Sequence, residues 1–210
     1  MNTRAKDLHK ARQSEWERRE RQRRMLVIGA WVAAGVLFVG MIVYLVWKQA
    51  QPIPRTGEDV PILSSDHIPI GQPHAPYNSN PPTSGPHYEQ AAEVGFYDQA
   101  PPDEQLVHNL EHGHVIIWYN CSELTESQCS RLKSQIREVM ASAGNSLITG
   151  TPKLVAVPRT EMETQVALTT WVSVALTTWG RLDKFGAFDR QRILNFIKFF
   201  RDKAPENNAP

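Results

Sequence analysis

Histidine is crowded into one stretch of this chain, and its neutral ring nitrogen is the commonest metal ligand in proteins. Six of the seven histidines in the 210-residue sequence lie between residues 67 and 114. If imidazoles from separate parts of this stretch meet at one point, they form a site for a transition metal. The six are His67, His74, His87, His108, His112 and His114.

The densest motif is His-Asn-Leu-Glu-His, which begins at His108 and ends at His112. On a helix these two histidines lie four residues apart on one face, and Glu111 flanks that face. The pattern can hold two imidazoles on one ion with a carboxylate beside it. It also matches H-x-x-E-H, the inverted zinc-peptidase motif, in which Glu111 would be the general base. Because Gly113 ends the helix at once, and no downstream glutamate has a suitable setting, hydrolysis is the weaker hypothesis.

A second motif, Pro-Pro-Thr-Ser-Gly-Pro-His, ends at His87. Its prolines fix φ, and Gly85 permits a turn with positive φ, so the loop could hold this histidine at a fixed point. The neighbouring residues Thr83, Ser84 and Tyr88 could orient the imidazole without binding the metal themselves. An ordinary proline and glycine turn packed on a sheet is the alternative interpretation.

A long apolar segment near the N-terminus determines where these motifs are placed. Residues 25–47 are 23 consecutive residues without a charge, enough at ~1.5 Å per residue to cross a hydrocarbon core of about 30 Å. Residues 1–24 carry nine basic and four acidic side chains, so the positive-inside rule keeps them cytoplasmic. A cleaved signal peptide is the alternative, but its apolar region would be only ~7–15 residues long. We expect a single-pass anchor in the cell membrane, with the C-terminal part periplasmic or extracellular.

The chain is therefore predicted to divide into five segments. A basic cytoplasmic arm at 1–24 and a transmembrane helix at 25–47 precede a proline-rich spacer at 48–65. Residues 66–204 form one extracytoplasmic, histidine-rich domain, which is long enough for a single core. Residues 205–210 are predicted to be a disordered tail.

The extracytoplasmic segment has the pattern of an α+β fold, a small sheet packed with two amphipathic helices. Its proline-rich first part mixes in aromatic residues and histidines, and we expect it to cover the core as an irregular, ordered loop. The predicted elements are a short helix at 103–112, a strand at 115–119, a helix at 124–143, a strand at 153–158, strand-like copies of Val-Ala-Leu-Thr-Thr-Trp at 166–171 and 174–179, and a last helix capped by Asp189.

The sequence contains only two cysteines, Cys121 and Cys129, and both lie on the predicted exported side, where disulfides persist. Their spacing differs from the C-x-x-C of redox catalysts and zinc knuckles. We expect a structural disulfide that joins the end of strand 115–119 to the start of the next helix. A thiolate metal ligand is the alternative.

Taken together, these motifs resemble one bacterial family. The segments PPTSGPHY, GFYD and LVHNLEHGHV closely resemble the membrane-anchored, exported proteins grouped as domain of unknown function 3105, from about Asp66 to Ala204. The resemblance carries no activity, and at His74 and His114 the family more often has other residues. The metal-ligand positions that it implies are His67, His87, His108, His112 and Glu111.

A set of imidazoles with a carboxylate suits copper, zinc, nickel or iron. Outside the cytoplasm we expect copper first and zinc as the alternative, either in metal handling or within a larger membrane complex. A metal-free accessory subunit of a membrane complex is the second hypothesis, and a metal-dependent hydrolase is the third. An enzyme is therefore not the favoured interpretation.

Several partner and function classes are not supported by the sequence. The part after residue 24 carries 14 basic and 18 acidic side chains, and the basic arm lacks a recognition fold, so nucleic acid is not an expected partner. Neither a Walker loop, nor G-x-G-x-x-G, nor G-x-S-x-G occurs. The expected partners are the membrane and a membrane protein complex.

Overall fold

The computed structural model describes residues 3–49, 53–160, 162 and 172–209 and divides the chain into two compact units, Met1–Pro52 and Ile53–Pro210. The first unit contains helix α1, Thr3–Gln49. Within it, the 33 residues Trp16–Lys48 are long and apolar enough to cross a membrane. By length, composition and position this helix could be a membrane anchor or a signal sequence.

The second unit is an α+β domain, which confirms the predicted fold class. Its elements are β1 Glu58–Asp59, β2 Gly95–Phe96, α2 Asp103–Glu111, β3 Val115–Tyr119, α3 Glu126–Ser142, β4 Leu154–Pro158, β5 Val174–Thr178, β6 Arg181–Phe185 and α4 Arg190–Phe200. Within the described residues, the strands form one six-stranded sheet in the order β1-β6-β5-β3-β4-β2. The β3–β4 and β2–β4 pairs are parallel, and the remaining pairs are antiparallel.

The central strand β3 is buried along its whole length because helices cover both faces of the sheet. On one face, Val115 and Ile117 pack with the apolar residues of α3 and α4. On the other face, Ile116 and Trp118 pack against Leu106 and its neighbours on α2. The metal-ligand candidates of α2 are therefore carried by a helix whose inner side is fixed to the centre of the sheet.

Among the described residues, α2 and α3 begin and end within two residues of the predicted bounds, and α4 begins directly after its predicted cap, Asp189. The capping box is formed, because the Thr125 side chain accepts from the Gln128 N–H and the Gln128 side chain accepts from the Thr125 N–H. Asp189 caps α4 by accepting from the Arg192 N–H at 2.9 Å. The buried face of α4 consists of Ile193, Phe196, Ile197 and Phe200.

The doubled hexapeptide has two different outcomes. Its second copy forms β5, and its first copy, 166–171, lies outside the described residues. After β5 the chain turns through Trp179 and Gly180 into β6, a strand that the sequence analysis missed. The β6 segment Arg-Leu-Asp-Lys-Phe reads as polar, but Asp183 accepts from Arg192 Nε at 2.9 Å, so its buried charge is paired.

The disulfide between Cys121 and Cys129 is confirmed, with Cα atoms 5.3 Å apart. It joins the chain just after β3 to the first turns of α3, as predicted. Both cysteines are bonded in it, so neither offers a thiolate to a metal. The remaining predicted segment boundaries stay predictions.

Candidate metal centre

Three histidines from separate parts of the domain meet at one point. One ligand atom from each of His67, His87 and His108 lies within 4.8 Å of the other two, so the group could hold a metal ion. The ring centroids are 4.7 Å apart for His67 and His87, 5.1 Å for His87 and His108, and 5.2 Å for His67 and His108. We call these three residues the histidine triad. The sequence motifs around 87 and 108 therefore converge, as the metal hypothesis requires.

The first two triad members are aligned by an isolated parallel β-bridge that joins His67 to His87. The Ile68 N–H donates to His87 O at 2.8 Å, and the His87 N–H donates to Asp66 O at 3.0 Å. The bridge places the two rings side by side on the cover of the core. His87 is fully buried, whereas the side chain of His67 is 39% exposed. The site is thus closed on the His87 side and accessible at His67.

The loop before His87 is held in the way that its composition predicted. Gly85 has φ +134°, and a Cβ there would lie 2.8 Å from the Tyr77 ring. The Tyr77 hydroxyl donates to Pro86 O at 2.8 Å, and the Ser84 hydroxyl accepts from the Leu63 N–H at 3.0 Å. A residue with a Cβ would be strained at this φ and would clash with the Tyr77 ring, so this loop conformation requires glycine at position 85.

Backbone carbonyls set the orientation of two triad rings. His87 Nδ1 lies 2.8 Å from Gly85 O, and His108 Nδ1 lies 2.5 Å from Tyr88 O. A carbonyl only accepts, so we assign a ring proton to Nδ1 in both histidines. In His108 this leaves the lone pair of the neutral ring on Nε2. His87 Nε2 instead faces the Glu111 carboxylate, which is also an acceptor, so a proton lies between these two atoms and an ion that binds Nε2 would replace it. Holding one ring nitrogen on a carbonyl is the usual way in which proteins orient metal-binding histidines.

The three residues predicted to orient the imidazole contribute differently from one another. Tyr88 acts through its backbone carbonyl, while its hydroxyl accepts from the Gly71 N–H at 3.2 Å. Ser84 supports the loop, as described above. The Thr83 hydroxyl is buried without a hydrogen-bond partner among the described residues. An orienting role for the Thr83 and Ser84 hydroxyls stays a prediction.

Glu111 places a carboxylate beside the triad. Its Oε2 lies 2.8 Å from His87 Nε2 and 3.9 Å from His67 Nε2, and its side chain is only 4% exposed. A buried carboxylate needs a compensating partner, and a hydrogen bond to an imidazole or a bound cation supplies one. Its predicted role as a metal ligand, and the weaker one as a general base, stay predictions.

His112 lies on the same helix face as His108 but contacts only that member of the triad among the described hydrogen bonds. Its Nε2 is 2.9 Å from His108 Nε2 and 3.4 Å from Glu206 Oε2. Glu206 was missed by the sequence analysis because it lies in the tail that was predicted to be disordered, and no local signal marks it. The Glu206 N–H donates to Glu111 O at 3.0 Å, which holds this part of the tail against the end of α2.

The remaining two histidines of the cluster have other neighbours. His74 contacts Glu104 Oε1 at 3.3 Å and Ala75 O at 2.7 Å. His114 is buried, and burial, followed by the nearby Lys153 charge, lowers its pKa to about 3. Burial also lowers the pKa of His108, with smaller contributions from neighbouring imidazoles. His108 is therefore unprotonated at neutral pH, as a metal ligand must be.

Comparison with known proteins adds the family. A family model described as Protein of unknown function (DUF3105) matches residues 71–210. The chain belongs to the DUF3105 family. The matched part of this DUF3105 protein includes His87, His108 and Glu111, whereas His67 lies just before it. No curated protein and no solved structure matches the chain.

Proposed function

We propose that this DUF3105 protein binds a transition-metal ion through the histidine triad. The observation that supports the proposal is the convergence of three imidazole nitrogens within 4.8 Å, from three separate segments. Carbonyl contacts already orient two of the rings, so little further ordering would accompany binding. Such a preformed nitrogen site suits copper, which we favour, or zinc.

Glu111 is the proposed fourth group of the site. Its carboxylate lies against His87 and within 4 Å of His67, where it can ligate the ion directly or balance its charge. Both cysteines are bonded in a disulfide, so a copper–thiolate centre is unsupported, and a site of imidazole with carboxylate remains. We propose a role in metal handling, alone or within a membrane complex, rather than catalysis.

Metal content tests this proposal directly. The full chain is purified in detergent, stripped of metal, loaded with Cu(II) or Zn(II), desalted and measured by elemental analysis. We expect about one ion per chain, and less than about a fifth of that in His87→Ala and His108→Ala, each checked for folding by circular dichroism. His74→Ala is the matched control, because His74 contacts Glu104 instead of the triad. Unchanged content in the two triad variants would refute the site.

We further propose that α1 is an uncleaved single-pass anchor with its basic end cytoplasmic. The 23 uncharged residues at 25–47, which lie within the helix span long and apolar enough to cross a membrane, and the positive charge before them support this topology. Mass spectrometry of the mature protein and extraction of membranes with alkaline carbonate test it. An intact N-terminus in the membrane pellet is expected, whereas loss of the residues of α1 would identify a signal sequence instead.

A metal-free accessory subunit is the second candidate, and one observation favours it. In the described structure His87 Nε2 already contacts Glu111, and His108 Nε2 already contacts His112, so both rings have partners without an ion. On this hypothesis the protein contacts a membrane complex and binds neither metal nor nucleic acid. Absence of bound metal in the wild-type protein, together with a partner that co-purifies in mild detergent, would favour it.

A further inference from the structure

We propose that His112 is a displaceable hydrogen-bond partner of His108 that competes with the metal ion, rather than a ligand of that ion. This inference rests on the proposed function, since it concerns exchange of the ion at the same site. It assigns to the His108–His112 pair a regulatory role, in which the protein holds its ion loosely enough to pass it on.

The first step of the argument is that His108 has a single lone-pair nitrogen. Its Nδ1 is engaged by the Tyr88 carbonyl at 2.5 Å, which leaves Nε2 as the only nitrogen that could bind an ion. His112 Nε2 lies 2.9 Å from that same atom. Two bare nitrogens would repel each other, so His112 donates its Nε2–H to the lone pair of His108. An ion that binds His108 must therefore displace this hydrogen bond.

The second step is that His112 has another acceptor close by. Glu206 Oε2 lies 3.4 Å from His112 Nε2, and its side chain is 54% exposed. The tail that carries Glu206 is held in place, because the Glu206 N–H donates to Glu111 O and Lys153 Nζ donates to Asn207 O at 2.7 Å. When the lone pair of His108 is taken by an ion, the N–H of His112 can turn to this carboxylate.

The third step concerns the other nitrogen of His112. With the proton on Nε2, the neutral ring has its bare nitrogen at Nδ1, which is buried without a partner among the described residues. The contact with His108 thus leaves a buried ring nitrogen of His112 unpaired. Among the described residues, the group that could hold an ion consists of His67, His87 and His108, and His112 is next to one member of it. These contacts favour a competitor beside the site over a fourth imidazole ligand.

Zinc affinity and release distinguish the two roles of His112. The full chain in detergent is titrated with Zn(II) against a chromophoric chelator, and release is followed after excess chelator is added. A lost competitor hydrogen bond predicts about two- to tenfold tighter binding and slower release in His112→Ala and in His112→Phe, which keeps a ring of similar size. Glu206→Gln, at an exposed position, weakens the alternative acceptor and should lower affinity about two- to fivefold.

The outcomes separate this inference from the proposed function. Zinc binding in the wild type with weaker binding in both His112 variants would make His112 a ligand and overturn the inference alone. Unchanged affinity in the His112 and Glu206 variants would overturn it as well. No zinc binding in the wild type would overturn the proposed function, and the competitor role with it. His74→Ala controls for the loss of an imidazole elsewhere in the domain.

Discussion

Lys153 is a residue whose chemistry would have been hard to infer from its neighbours in the sequence. Its side chain is fully buried, and its ammonium donates to His112 O at 2.8 Å and to Asn207 O at 2.7 Å, with Asp202 Oδ1 at 3.5 Å. Burial lowers the pKa of this amine, and the Asp202 charge partly offsets the effect. The lysine thus joins the end of α2 to the C-terminal segment, next to the proposed competitor.

We expect Lys153→Met to lower the free energy of unfolding by about 2–4 kcal/mol, because two carbonyls and one carboxylate lose the buried ammonium that donates to them. Urea denaturation at pH 7.5 measures the change. Lys198→Met on the outer side of α4 is the control and should lie within about 0.5 kcal/mol of the wild type. A loss at Lys153 no larger than that of the control would show that the buried amine contributes nothing to the fold.

The turn before His87 gives a prediction about metal affinity. In Gly85→Ala the new Cβ would lie 2.8 Å from the Tyr77 ring at φ +134°, so the loop and its imidazole must move. We expect zinc affinity to fall about tenfold or more, as measured by chelator competition. Gly71→Ala is the matched control, because Gly71 also has a positive φ, +82°, but no atom within 4 Å of its Cβ. Equal affinity in the two variants would show that the turn does not position His87.

At the scale of elements, the disulfide fixes α3 to the central strand. The double variant Cys121→Ser/Cys129→Ser reopens a short loop, which should lower the free energy of unfolding by about 2–3 kcal/mol. Denaturation of the wild type under reducing conditions should give a similar drop. Zinc affinity should stay within about twofold of the wild type, because neither cysteine belongs to the triad. A large loss of zinc binding with intact folding would contradict that separation.

The elements that local chemistry marks could be predicted from sequence. The helix α2 lies between Pro102 and Gly113, α3 begins directly after its capping residue Thr125, and α4 begins directly after Asp189. Each signal acts within one or two helical turns, so no tertiary contact has to be known. The strand β6 was not predicted, because its sequence is polar and the partners of its charged side chains lie far away in the sequence or on the next helix.

The site was predictable in composition but not in arrangement. Residue types and spacing single out His87 and His108, since a rigid loop and a helix each present an imidazole. The convergence of these rings with His67 depends on a single β-bridge between distant segments. A bridge of this kind leaves no periodic pattern in the sequence from which it could be predicted. The contact of Glu206 with His112 was missed for the same reason, because a short polar tail carries no pattern of burial.

At the scale of the whole molecule, buried imidazoles link folding to pH. His114 is buried and its pKa is lowered to about 3, and burial lowers the pKa of His108 as well. In the unfolded chain both rings take up a proton near pH 6.5, whereas in the folded domain they resist it. The unfolded state therefore binds more protons in acid, and stability must fall as the pH falls below about 6.5.

For the metal-free protein we expect the free energy of unfolding to fall by up to about 1.4 kcal/mol per pH unit for each such histidine, once the pH is well below 6.5. Urea denaturation at pH 7.5, 6.0 and 5.0 measures the slope. Glutamine does not take up a proton, so the free energy of unfolding of His114→Gln should depend less steeply on pH. Its stability relative to the wild type should therefore rise as the solution is acidified. A parallel pair of curves would mean that His114 protonates equally in both states. Added zinc should raise the midpoint at pH 7.5 more than at pH 5.0, since protons and the ion compete for the same imidazoles.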